Sequence, residues 1–206
     1  MKSIDKSKIG ELVQLYQTGR LPEVEKKAKE LVLIYPKEIS LYNLLGVTLA
    51  RQNKFDEACE YFKKGIKTSP NFYETYNNLG NLLFKQKRYK ESLKYLEKAI
   101  LINENFAEAY FNIANVFQKT SNFDKAILNY KKSIKLNPNY FNAYLNLGNI
   151  LLDSSNLKEA NEIYNIALKI NPRNAELYYN LGNLCLKNNE LIKAANFFKR
   201  AVNINT

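Results

Sequence analysis

The sequence predicts an all-α fold, a right-handed α-solenoid of antiparallel helix hairpins. Three observations predict it. Small residues recur every 34 positions, each period holds two amphipathic stretches, and the composition is that of a folded chain, with 46% apolar and 25% charged residues. Gly46, Gly80, Gly148 and Gly182 stand 34, 68 and 34 residues apart, and Ala114 fills the gap. Pro36, Pro70, Pro138 and Pro172 keep the same step, with Glu104 between them. So do Tyr42, Tyr76, Tyr110, Tyr144 and Tyr178.

The chain reads in order as one array over 5–206. A degenerate copy at 5–38 is followed by copies at 39–72, 73–106, 107–140, 141–174 and 175–206. In each copy the first stretch carries apolar residues at i, i+3, i+4 and i+7, as in Tyr76, Leu79, Gly80 and Leu83, which is one face of a helix. First helices are therefore expected near 5–18, 39–52, 73–86, 107–120, 141–154 and 175–188. Polar turns such as Gln52-Asn53-Lys54 end them. The second stretch carries its own small residue, Ala58, Ser92, Ala126, Ala160 or Ala194, followed by a large one, Phe62, Leu96, Tyr130, Tyr164 or Phe198. Proline then stops the second helix, because it cannot continue the hydrogen-bond ladder. In the first copy Leu12 replaces the glycine and Lys8 the tyrosine, which loosens the expectation for its packing. One hairpin cannot bury its apolar face alone, so hairpins must stack.

Composition removes several function classes. The chain has no histidine, so the usual proton shuttle and metal ligand are missing. No phosphate-binding glycine loop occurs. Cys59 and Cys185 read as structural thiols, and two cysteines point to a reducing, cytoplasmic setting. The opening Met1-Lys2-Ser3-Ile4-Asp5-Lys6 lacks the apolar core of a secretory signal, and no apolar run is long enough for a membrane span. The chain is expected not to be an enzyme and to need no cofactor or metal. The net charge of +11 raises nucleic-acid binding as a third reading, but the lysines are spread along the whole chain.

A 34-residue period with these residue types resembles the tetratricopeptide repeat. The resemblance covers nearly the whole chain and implies a protein-interaction scaffold that binds an extended peptide or protein segment in a concave groove.

Counting place 1 at residues 39, 73, 107, 141 and 175, the core stripe of the first helix is places 4, 7, 8 and 11. Places 2, 6, 9 and 13 fall opposite, at about 100° per residue. Stacking turns these into two asparagine rows: Asn78, Asn112, Asn146, Asn180 and Asn81, Asn115, Asn149, Asn183. A carboxamide both donates and accepts, so such rows can pair with the backbone of an extended segment whatever its side chains. Place 5 adds Asn77, Phe111, Leu145 and Tyr179 as apolar or stacking contacts. The competing reading is a solvated helix face.

Tetratricopeptide repeats that grip the acidic C-terminus of heat-shock chaperones use Lys and Arg at places 2, 5 and 6. Here place 2 holds Glu74, Glu108 and Glu176, which speaks against that clamp. The Asn-Leu-Gly-Asn runs at 78–81, 146–149 and 180–183 instead resemble the array of O-linked N-acetylglucosamine transferases. That resemblance implies an asparagine ladder for extended substrates, and with it a second reading, the recognition array or a fragment of such a glycosyltransferase. These 206 residues themselves hold no transferase domain. The last helix keeps Ala194, Phe197, Phe198, Ala201 and Val202 without a visible polar cap, so self-association through this helix is expected.

Overall fold

The computed structural model describes residues 4–205. Thr206, the last residue of the final repeat, lies outside them. Among the described residues there are helices and turns and no strand. The helices are α1 (Lys6–Gln17), α2 (Leu21–Ile34), α3 (Ile39–Arg51), α4 (Phe55–Thr68), α5 (Tyr73–Lys85), α6 (Tyr89–Ile102), α7 (Ala107–Lys119), α8 (Phe123–Leu136), α9 (Phe141–Asp153), α10 (Leu157–Ile170), α11 (Ala175–Lys187) and α12 (Leu191–Asn205). The odd-numbered helices match the six expected first helices to within a residue or so at each end. The chain is an all-α protein of the α-solenoid class, built from helix hairpins.

The same turn closes the first helix of every repeat. Place 15 takes the left-handed conformation, with φ of 78° at Gly19 and between 59° and 61° at Asn53, Lys87, Ser121, Ser155 and Asn189. The next N–H then reaches back to the carbonyl five residues earlier. Examples are Lys54 to Leu49 at 2.9 Å, Asn122 to Phe117 at 2.8 Å and Glu190 to Cys185 at 2.8 Å. This pattern satisfies helix-end carbonyls that would otherwise be orphaned. Some first helices are also capped at their start. Asp5, Glu38 and Asn174 accept from the backbone N–H groups of Ser7, Ser40 and Leu177.

By packing, the chain divides into two compact units, one up to Asn112 and one from Ile113 onward. The core of the first unit joins Leu12, Val24, Ala28, Leu41, Leu45, Phe62, Leu79 and Leu83. Each of the Val, Leu and Phe side chains among them, taken out of water, contributes about 1.5–3 kcal/mol. In this unit Gly46 faces the ring of Phe62, and a Cβ on Gly80 would stand 2.6 Å from Cγ of Leu96. The first hairpin packs more loosely than the later ones, as its departures from the pattern led one to expect: α1 buries only Leu12 and Leu15, whereas α3 buries six residues. Leu12 is 1% exposed, and the place that holds Phe62 one repeat later is Ala28, also buried. The large and small partners have exchanged helices, and a pocket of about 200 Å³ lined by Leu12 and Leu31 opens between α1 and α2.

In the second unit the filled positions are Tyr130 and Tyr164, both fully buried, with Ala126, Ala160, Leu147 and Leu181. Gly148 lies against the Tyr164 ring and Gly182 against the Phe198 ring. Of the C-terminal residues expected to lie bare, Ala194 and Ala201 are buried. Phe197 and Phe198 are half-buried, their ring centroids 6.2 and 5.6 Å from those of Tyr178 and Tyr179 of the same repeat. Only Val202 of the five is exposed, at 62%. The expected bare patch is therefore corrected to a smaller one. The second-helix aromatic is needed inside its own hairpin, whether or not a repeat follows.

Candidate functional site

The asparagine rows do more than face solvent: neighbouring repeats are tied together through them. In the first unit, Nδ2 of Asn78 donates to Oδ1 of Asn43 at 3.1 Å. Nδ2 of Asn112 donates to Oδ1 of Asn77 at 2.8 Å, and Nδ2 of Asn77 donates to Glu108 at 3.0 Å. Asn77 and Asn112 are buried, at 1% and 7% exposure. Both expectations of an exposed contact residue are corrected here. A buried carboxamide must be bonded, and these two bond each other and Glu108. Phe111 is half-buried.

In the second unit the tie has another form. Nδ2 of Asn146 donates to Oδ1 of Asn115 at 3.0 Å, and Nδ2 of Asn180 donates to Oδ1 of Asn149 at 2.8 Å. The same oxygens take the phenols of the second helices, Tyr130 to Asn115 at 2.6 Å and Tyr164 to Asn149 at 2.7 Å. Burial pushes both phenols' pKa up, so each keeps its proton and remains a donor at neutral pH. Tyr130 also touches Oε1 of Gln118 at 2.7 Å and Nδ2 of Asn146 at 3.2 Å. A carbonyl oxygen has two lone pairs, so Oδ1 of Asn149 is fully used, while the single phenolic hydrogen of Tyr130 serves either Asn115 or Gln118. The Nδ2 groups of Asn115 and Asn149 have no protein partner among the described residues, and neither is fully buried. The geometry thus leaves pre-oriented donors that can hold carbonyl oxygens.

The remaining place-9 residues behave differently. The second-helix residue of their own repeat is Leu96 for Asn81 and Phe198 for Asn183, and neither side chain has a hydroxyl. Asn81 and Asn183 have no hydrogen-bonded protein partner among the described residues, and both are half-buried. Place 5 splits as well. Leu145 is buried at 5%, whereas Tyr179, one repeat later, is 55% exposed. Leu145 as a surface contact is corrected; Tyr179 is accessible. Tyr130 and Tyr164 belong to the arrangement although the sequence reading placed them only in the core. The signal that distinguishes them is a tyrosine, rather than Phe or Leu, fifteen residues after a place-9 asparagine.

Other chemistry is sparse. Cys59 and Cys185 are free and buried, and burial pushes both thiols' pKa up, away from the reactive thiolate. Among the described residues no three His, Cys, Asp or Glu side chains gather where they could hold a metal. No described helix is long and apolar enough to cross a membrane.

Stacked helix hairpins with a left-handed residue at every inner turn define a helical-repeat protein. Family models for the tetratricopeptide repeat match residues 39–72, 72–139, 129–162 and 175–206, and one for the TPR repeat matches 148–189. The chain belongs to the tetratricopeptide-repeat family. No curated protein matches it. Among solved structures it is similar to MamA, at 25% identity, 78% of this chain, 94% of that chain and a TM-score of 0.71. PilF of Pseudomonas aeruginosa shares 20% identity over 93% of this chain and 87% of that one, with a TM-score of 0.85. YrrB, described as a TPR protein with an unusual peptide-binding site, shares 20% identity over 86% and 91%, with a TM-score of 0.67. The last two likenesses concern the fold. None of these matches bears on the resemblance to glycosyltransferase arrays.

Proposed function

We propose that this protein is a non-catalytic interaction scaffold that holds an extended protein segment along its first helices. The observation that carries the reading is the set of oriented, unfilled carboxamide groups. Asn115 and Asn149 keep Nδ2 donors fixed by bonds to their oxygens, and Asn81 and Asn183 keep whole carboxamides. A donor already held in place loses little freedom on binding, which favours affinity. The partner's carbonyl oxygens are the matching groups, and every residue of an extended chain supplies one. The peptide site in the name of YrrB supports a peptide as ligand here.

Selection of an unstructured peptide library on the intact chain tests this. Enriched peptides should perturb the carboxamide NMR signals of the first helices. Perturbation confined to the outer faces of second helices, or no enrichment, would contradict it.

The C-terminal end supports self-association as a further part of this reading. A groove of about 760 Å³ there is lined by Tyr179, Phe198, Ala201, Val202 and Ile204, among others. In the first unit the counterparts of Ala201, Val202 and Ile204 are Ala99, Ile100 and Ile102, which share one apolar cluster with Phe106 of the same repeat and Ala109 of the next. Sedimentation of the parent and of Val202→Lys tests whether a second copy fills that seat. A strict monomer at high concentration counts against it.

A further inference from the structure

A small pocket of about 170 Å³ opens on the first-helix face of the first unit. Its floor is apolar, with Phe62 and Leu82, and its rim carries Arg51, Lys85, Asn78 and Asn81. No carboxylate lines it. Drug-sized ligands and cofactors occupy roughly 300–1,000 Å³, so this pocket suits one side chain.

Neither of the two cations is paired with a carboxylate among the described residues. Arg20 and Arg88 are each paired with a glutamate three residues on. Arg51 has no carboxylate partner among the described residues. Its guanidinium lies 4.9 Å from the centroid of the Tyr16 ring, and Nη1 donates to the Tyr16 carbonyl at 3.2 Å. Stacking and this one bond hold the fork in place and leave its other N–H groups unused. Lys85, exposed, has no partner among the described residues. Asn81 stands free because Leu96 supplies no hydroxyl, and Asn78 spends only its Nδ2 on Asn43.

Two unneutralised cations and a free carboxamide around a one-residue apolar pocket form a receptor for an anion carried on methylenes. We propose that this pocket receives the side-chain carboxylate of a glutamate in the extended segment, with Arg51 and Lys85 supplying the charge and Asn81 a hydrogen bond. The proposal rests on the extended-segment reading above. The half-buried Val47 and Ala50 on the pocket wall would cover the methylenes, which favours a side chain over a bare chain terminus. The cations stand at place 13 of their repeats, not at places 2, 5 and 6 as in the chaperone clamp.

The test uses N-acetylglutamate amide, N-acetylglutamine amide and N-acetylglutamine with a free carboxylate as probes on the whole isotope-labelled chain. The glutamate amide should shift the Asn81 carboxamide signals saturably in the millimolar range. The glutamine amide should bind about tenfold more weakly, as expected for loss of a charge-assisted contact, and added salt should narrow the gap. Lys85→Gln, at an exposed unpaired residue, should narrow it too, and Arg51→Gln with Lys85→Gln should erase it. Equal binding of the two amides, no saturable shift, or a preference kept by the double variant would overturn the proposal. Tighter binding of the free-carboxylate glutamine would overturn it in favour of a chain terminus. Selected peptides that bind while the glutamate probe fails would sink this pocket alone. A probe that binds while no extended peptide does would sink the wider reading alone.

Discussion

Tyr164 donates its phenolic hydrogen to Oδ1 of Asn149 at 2.7 Å, from the second helix of a repeat to the first. That bond makes Asn149 part of the framework. Tyr164→Phe keeps the ring and removes the donor, while Asn180 still donates to the same oxygen. The expected cost is about 0.5–1.5 kcal/mol, read from chemical denaturation. Phe198→Tyr is the reverse experiment. It offers Asn183 the hydroxyl its repeat lacks, and a gain of similar size is expected. No change in either variant would detach the asparagine row from the framework.

Gly148 tests the packing. A Cβ there runs into the Tyr164 ring. Yet Ala114 and Tyr130 occupy the same two places one repeat earlier, both fully buried. A ring can thus yield to one methyl. Gly148→Ala should be tolerated, and Gly148→Leu should cost roughly 1–3 kcal/mol or more by overpacking. A leucine variant as stable as the parent would contradict the close approach of the paired helices.

Much of this was legible in the residues. The period, the first-helix bounds and the buried small residues follow from a 3.6-residue pattern repeated at fixed spacing. Side-chain hydrogen bonds were not legible at the same level. Helical phase places Asn77, Asn112 and Leu145 away from the core stripe of their own hairpin, but a neighbouring repeat buries such residues, and a single-helix argument contains no neighbour. Nor does phase tell Asn149 from Asn183; that depends on a hydroxyl on another helix. The exchange of Leu12 and Ala28 is legible only when both helices are considered together.

The inner turns give a stability prediction. Lys87 is held at φ 61°, where the first repeat has Gly19 at 78°. The left-handed conformation costs a side-chain-bearing residue about 1–2 kcal/mol, and glycine adopts it freely at some cost in unfolded-chain entropy. Lys87→Gly should therefore stabilise the protein, by about 0.5–1 kcal/mol net. A lower melting temperature would show that the turn is held otherwise.

Glu25 gives a pH prediction. Burial would raise its pKa, but hydrogen bonds from Lys29 at 2.7 Å and Lys54 at 2.8 Å outweigh it and hold the carboxyl at about 2 instead of 4.5. A depressed folded-state pKa means the contribution is complete above 4.5 and is lost as pH falls towards 2. Denaturation of the parent and Glu25→Gln across that window should show the parent's advantage shrinking with acidity. A constant difference would contradict the ion cluster's role.

The central claim is that carboxamides left unfilled by the framework hold an extended segment. Its most direct measurement is calorimetric titration of a library-selected peptide into the parent and into the Asn81→Ala, Asn183→Ala double variant, with a melting curve for each. Neither asparagine bonds another protein group among the described residues, so the two curves should coincide. Affinity should fall by roughly 5- to 150-fold, as two lost net hydrogen bonds of roughly 0.5–1.5 kcal/mol each imply. Unchanged affinity with unchanged melting would contradict the claim.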